Sequence, residues 1–273
     1  MTLHELEQVK KVQLEIMDEL HRICEKHAIT YYLNAGSVLG AVRHNGFIPW
    51  DIDIDVAMFR NDYDRFKQVC KSELSERYQY CDYTNVHNFM RPHALLCDTK
   101  SKVHMKYDHL NPISEDHGIY VDIFPLDNAP DNEKRRKRQA AKMIRVRKFK
   151  KWRLPYSYSL KKWKRIAHYA VSAMLSWVSV DRINDYQQSV MQQYRDRSTQ
   201  CVCSMASQYP YSKQCMPRQI YGEPTLLPFE GRTYYAPEHY EEYLTRLYGN
   251  YMQLPPEEKR RANLEVYSKI EFL

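Results

Sequence analysis

The sequence predicts an α+β protein: a mixed β-sheet core with an N-terminal helix and helical additions. Three observations predict it. Short β-branched and aromatic runs alternate with helix-periodic stretches through residues 1–130, residues 131–205 read as mostly helical, and the last stretch mixes irregular chain with helix. At 273 residues with 43% hydrophobic content, the chain can bury a real core, which excludes disorder over the whole length.

Residues 1–28 form an amphipathic helix with Leu6, Val9, Ile16, Leu20 and Ile23 on its apolar face. Thr2 and Glu5 are spaced as a capping box, and no signal peptide is expected. Residues 29–34 (ITYYLN) read as a buried strand that runs into Gly36-Ser37 and the helix-like SVLGAVRH. Asn45-Gly46 then turns the chain back towards Asp51, Asp53 and Asp55. Residues 61–77 read as a helix capped by Asn61, followed by strands at 78–83, 94–98, 103–107 and 119–124. The helical stretch from 131 breaks near Pro155, and the Pro- and Tyr-rich tail ends in helices from Glu238 and Pro256. No flexible linker separates the parts, so residues 1–130 are expected as a catalytic core, 131–205 as a basic helical addition and 206–273 as a segment completing the domain.

The chemistry lies in the first of these parts. Asp51, Asp53 and Asp55 occupy alternate positions, so in an extended chain they share one side while Ile52, Ile54 and Val56 face the other. A solvated edge strand would not bury that second side. Three like charges so close repel unless a cation sits among them, and oxygen-only ligands suit a hard ion such as Mg²⁺ or Mn²⁺. Gly36 and Ser37 open a helix, where free N–H groups and a hydroxyl suit a phosphate. Asp122 sits inside the apolar run IYVDIF, a costly place for a carboxylate without a positive partner, which a metal or a nearby arginine would supply. Asp127, in PLDNAP, reads as a cap or turn residue. Strand, Gly-Ser, short helix, turn and carboxylate strand is the layout of the nucleotidyltransferase fold, where Gly-Ser holds donor phosphate and Asp-x-Asp holds metal.

The run GSVLGAVRHNGFIPWDIDIDVAM resembles the signature of the LicD family of phosphotransferases. HGIYVDIFPLDNAP (117–130) and FEGRTYYAPEHYEEYLTRLYGNYMQLPP (229–256) fit the same family, with one departure: Ile52 stands where it usually carries another aspartate. The resemblance implies a metal-dependent transfer of a phospho-alcohol from a CDP-activated donor, CDP-choline foremost, with CDP-ribitol and CDP-glycerol as further candidates. The implied acceptor is a sugar hydroxyl of a cell-surface glycan or its lipid-linked precursor. Asp53, Asp55 and Asp122 would hold Mg²⁺ or Mn²⁺, with Asp51 a further candidate ligand, and Asp122 would complete the metal site or take the proton of the attacking hydroxyl. Gly36, Ser37 and Arg43 would bind donor phosphate. Two other readings remain open: a nucleotidyltransferase moving NMP from an NTP, and a non-catalytic adaptor, which the altered position 52 permits.

Composition adds a second theme. Residues 134–180 carry sixteen lysines and arginines and no acid, whereas the other 226 residues hold 25 basic against 34 acidic, a balance of −9 beneath a net +7. The block is aromatic too, and residues 166–180 are apolar but shorter than the ~20 residues of a membrane-spanning helix. An anionic membrane surface, a polyanionic acceptor, or a solvated basic helix beside a buried core helix would each account for it. Nucleic acid ranks last, because no recognised binding fold accompanies the charge. Seven cysteines without a metal-ligand spacing fit reduced thiols in the cytoplasm, with the inner membrane face as a place of peripheral attachment. The 23 tyrosines, clustered at Tyr31-Tyr32, Tyr234-Tyr235 and Tyr240 with Tyr243, invite a choline cage but fit ordinary packing as well.

Overall fold

The computed structural model describes residues 3–105, 117–153, 162–261 and 267–273. In chain order the elements up to the central strand are α1 (Leu3–Lys26), β1 (Tyr32–Leu33), α2 (Ala35–His44), β2 (Asp55–Phe59), α3 (Arg60–Glu73), β3 (Tyr78–Cys81), β4 (Ala94–Asp98), β5 (Ser101–Met105) and β6 (Tyr120–Ala129). Then come α4 (Glu133–Arg153), α5 (Lys162–Met174), α6 (Val180–Met191), β7 (Cys201–Cys203), α7 (Tyr211–Gln214), β8 (Cys215–Pro217), β9 (Thr225–Phe229), β10 (Arg232–Ala236), α8 (Tyr240–Tyr248) and β11 (Tyr267–Phe272). The expected mix of helices and a mixed sheet is present.

The ten-residue β6 organises the sheet. Its first half pairs in parallel with β2 and antiparallel with β4, and its last three residues pair with β7, which in turn pairs with β8. The main path runs β1-β2-β6-β4-β3, and two further antiparallel pairs, the β9–β10 hairpin and the distant partners β5 and β11, stand apart from it. Central position explains composition: eight of the first eight β6 residues are buried, as a strand covered on both faces requires. The apolar stripe of α1 covers the sheet as expected, with Ile16, Met17, Leu20 and Ile23 fully buried. One cluster joins α1, the sheet, and Tyr243, Leu244 and Leu247 of α8. None of the seven cysteines forms a disulfide.

Several expectations are corrected. The strand read at 29–34 shortens to two residues, because Asn34 already pairs its N–H with Asp55 O and opens α2. Asn61 is not a cap: α3 starts at Arg60, whose guanidinium forms a buried two-pronged ion pair with Asp127 (Nε–Oδ1 2.7 Å, Nη2–Oδ2 2.8 Å). Asp127 is therefore neither cap nor turn but a strand residue, paired with the Arg60 guanidinium. Within 131–205, residues 201–203 are strand, since the far end of β6 needs a partner. Among the described residues after Pro256, Glu257–Arg261 form a 3₁₀ turn, and Tyr267–Phe272 is strand, paired with β5. Thr2, Pro155 and residues 106–107 lie outside the described residues. No described helix is long and apolar enough to cross a membrane.

Candidate active site

The strand-to-helix turn at residues 34–37 is held from three sides. Asn34 N–H bonds Asp55 O (2.9 Å), Ser37 N–H bonds Asn34 O (2.9 Å), and Asp55 N–H bonds Ser37 Oγ (2.8 Å). The Tyr243 hydroxyl, arriving from α8, donates to Asn34 Oδ1 (2.7 Å) and accepts Ala35 N–H (2.9 Å). Ala35 adopts φ 44, an unfavourable conformation for a residue with a Cβ, and these bonds fix it there. At the other end of α2, Asn45 ends the helix in the left-handed conformation. Glu230 of the β9–β10 hairpin bonds Asn45 O through its N–H and takes Phe47 N–H on Oε1. A Cβ on Gly46 would lie 2.1 Å from Glu230 Oε1, so a side chain there would push that carboxylate off Phe47 N–H.

This frame presents the predicted residues. Gly36 and Ser37 form the helix mouth, and a Cβ on Gly36 would come 3.4 Å from Asp51 Oδ2, so Asp51 stands over the same mouth. Asp51 and Asp53 precede β2, while Asp55 is its first residue; Ile52, Ile54 and Val56 are buried on the opposite side, as the alternation requires. Parallel pairing sets Asp55 directly beside Asp122, and Asp122 N–H bonds Ile54 O (3.0 Å). Two strand residues 67 positions apart in sequence thus stand side by side in one acidic site.

The carboxylates differ in their surroundings. Protein crowding and repulsion from Asp122 and Asp51 push Asp53 up to about 7, although its side chain still meets solvent in the open cleft. Burial, then Asp122 and Asp53, raises Asp55 well above the usual carboxylate range. Asp122 goes the other way: burial opposes its ionisation, but a bond from His93 Nε2 (2.7 Å to Oδ1) and the charges of Arg91 and His117 hold it below that range. Arg91 Nη1 lies 3.2 Å from the same Oδ1, and its guanidinium covers the Tyr120 ring at 4.5 Å. Stacking on Phe124 at 4.2 Å orients the His93 ring. Asp122 is an ionised acid with cationic partners; Asp53 and Asp55 are acids still short of positive charge.

That imbalance bears on metal. Two carboxylates raised by burial and by repulsion from neighbouring acids suit a hard divalent ion, which is commonly held by one or two acids plus substrate phosphates. Among the described residues, no three His, Cys, Asp or Glu side chains are already arranged to hold an ion. The donor set therefore fits a metal that Asp53 and Asp55 share with a phosphate ligand, better than a cage complete in the protein.

Sequence reasoning missed Arg91, His93 and Tyr243 as site residues. The signal for the first two was a pair of basic residues around Pro92, just before an apolar strand. Arg43 lies elsewhere: it ends α2, about 10 Å along the helix from Gly36, and its Nη1 bonds Tyr251 O (3.0 Å). Arg43 and Arg260 both approach the Trp50 ring, at 5.8 and 5.5 Å. Tyr31, Tyr32 and Tyr234 are fully buried and act as packing, while the equally buried Tyr243 holds the helix mouth through its hydroxyl and lines no cage.

Paired acids beside a glycine-serine helix mouth, with an arginine and a histidine behind the third acid, define a phosphate-handling enzyme. The comparisons narrow this class. A family model described as LicD/FKTN/FKRP, nucleotidyltransferase domain, matches residues 28–159. Lipopolysaccharide cholinephosphotransferase LicD of Haemophilus influenzae is 31% identical over 267 residues, covering 94% of this chain and 95% of that protein. Human ribitol 5-phosphate transferase FKRP is 37% identical over 51 residues, 19% of this chain and 10% of that protein. The chain belongs to the LicD family of phosphotransferases.

Proposed function

We propose that the protein transfers a phospho-alcohol, phosphocholine foremost, from a CDP-activated donor to a sugar hydroxyl of a cell-surface glycan or its lipid-linked precursor, on a nucleotidyltransferase-like core. The observation that carries the reading is the registration of Asp55 beside Asp122, with Ser37 bonded to the Asp55 amide. In this reading the attacking hydroxyl oxygen bonds to the phosphorus of the phospho-alcohol, the bond to the CMP oxygen breaks, and CMP leaves with the electron pair. Gly36 and Ser37 bind phosphate oxygens at the helix mouth, and Arg91 offers a cation beside Asp122. Asp122, kept ionised by His93 and Arg91, receives the hydroxyl proton. A divalent ion held by Asp53 and Asp55, with Asp51 as a further ligand, would neutralise the diphosphate. Arg43, Arg260 and Trp50 would meet the outer part of the donor.

The phosphotransfer reading draws support from the H. influenzae relative, a cholinephosphotransferase by name that aligns along almost the whole chain. CMP release is measured from CDP-choline, CDP-ribitol and CDP-glycerol with Mg²⁺ or Mn²⁺ and a glycan acceptor. CMP that depends on both ion and acceptor is expected. Pyrophosphate from CTP or ATP, with silence from every CDP-alcohol, would replace this reading by nucleotidyl transfer.

A further inference from the structure

Helix α5 is built inside out. Its polar His168 and Ser172 are buried at 2% and 3% exposure, whereas Trp163, Ile166 and Met174 are 65%, 71% and 75% exposed. The inward contacts are specific: His168 stacks on Trp152 at 5.0 Å and 25°, and Ser172 Oγ donates to Arg153 O at 2.7 Å. Trp177, just beyond the helix, is 77% exposed and continues the outward stripe, with Tyr169 between. The apolar stretch, for which a buried core helix is one of the three sequence readings, thus turns its apolar side away from the core. A water-soluble surface helix shows the reverse arrangement, and a contiguous exposed patch of this kind marks an interaction site.

Charge identifies the occupant. Lys148, Lys151, Lys164 and Arg165 are exposed on α4 and α5, inside the stretch of sixteen basic residues without an acid. A groove of about 390 Å³ between α4 and α6, which flank α5 in the chain, is lined by Phe149 and Val178 together with Lys142, Arg145 and Arg182. Two copies of this chain would set like charges against each other if they met here, so self-association is disfavoured. A nucleic acid would meet the cations but leave Ile166 and Met174 without partners. An anionic bilayer satisfies both: headgroup phosphates take the lysines and arginines, and the interfacial acyl region takes the tryptophans and aliphatics. We infer that α5 and the segment to Trp177 form an in-plane docking surface for an anionic lipid bilayer. The 13-residue helix lies along the interface for roughly 20 Å. These residues are separate from the acidic cleft, so the inference stands whatever group the enzyme transfers.

The test uses the full chain with vesicles of phosphatidylglycerol and phosphatidylcholine, and with vesicles of phosphatidylcholine alone. Flotation with the anionic vesicles, weakening as salt rises, is expected. Tryptophan emission should shift to the blue and be quenched by brominated lipid, because Trp163 and Trp177 lie on this face, whereas Trp152 packs on His168 beneath it and Trp50 sits beside Arg43 and Arg260. The combined Trp163→Ser, Ile166→Ser, Met174→Ser variant should bind anionic vesicles at least about ten-fold more weakly, with its melting temperature held because the removed groups are exposed. Lys148→Gln, Lys151→Gln, Lys164→Gln and Arg165→Gln together should remove the preference for anionic lipid. Failure of wild type to float at low salt, or absence of brominated-lipid quenching, would overturn the inference. So would a self-associating wild type that the triple variant makes monomeric, or tight nucleic-acid binding without lipid binding.

Discussion

Tyr243→Phe removes one oxygen atom from the molecule, and its consequences can be worked from the structure. The hydroxyl donates to Asn34 Oδ1 and accepts Ala35 N–H, and Asn34, Ala35 and Tyr243 are 1%, 6% and 0% exposed. Neither partner can turn to water. Each buried polar group left unpaired costs about 1–3 kcal/mol, and with the phenol's own desolvation removed the net loss is about 2–4 kcal/mol. Urea unfolding, comparing midpoints at constant slope, measures it. Catalysis should suffer as well, because Ala35 at φ 44 immediately precedes Gly36 and Ser37. Relaxation of that strained residue would move the phosphate-binding mouth, raising the donor KM about ten-fold or more while changing kcat less. Unchanged stability would refute the hydrogen-bond accounting. Lower stability with an unaltered KM would reduce Tyr243 to a packing residue.

Asp53→Asn and Asp55→Asn should each abolish turnover without unfolding the protein, and Mg²⁺ or Mn²⁺ should raise the melting temperature of wild type but not of these variants; activity that survives excess EDTA would end the metal proposal. The raised Asp53 and Asp55 carry a sign that can be tested: a group whose folded pKa exceeds its unfolded value adds stability at low pH and loses it as pH climbs through the folded pKa. Metal-free protein should therefore gain stability between about pH 8 and about pH 6, and a divalent ion should flatten that slope; a flat profile without metal would count against the repulsion. Asp127→Asn leaves the Arg60 guanidinium buried opposite a neutral amide and should cost about 3–5 kcal/mol in denaturant unfolding. A loss under about 1 kcal/mol would show that the pair is dispensable.

How far the site was legible depended on distance along the chain. Asp51, Asp53 and Asp55 declared themselves through period two, and Asp122 through its apolar neighbours, because those signals are local. That Asp55 and Asp122 are register partners is a parallel pairing, which no local pattern encodes. Arg91 and His93 escaped for the same reason: their role exists only once β4 lies against β6. Asp127 was misread because Pro, Asp and Asn together spell a turn, yet pairing with β7 keeps the strand going and Arg60 supplies the charge it needs. The apolar character of 166–180 was plain, but composition cannot say which side of a helix packs. Contacts of His168 and Ser172 with α4 decided that.

Both ends of α2 are secured by residues far downstream. Glu230 reaches Phe47 across 183 residues, and Tyr243 reaches Ala35 across 208. Every aspartate of the site leaves the ribosome long before either clamp does. A nascent chain therefore displays its acids early but has no ordered phosphate cradle until the segment through Tyr243 has emerged, so ribosome-bound intermediates and products truncated before it should be inert. Loop closures of that span also form slowly, making docking of the C-terminal hairpin and α8 the natural late step in folding.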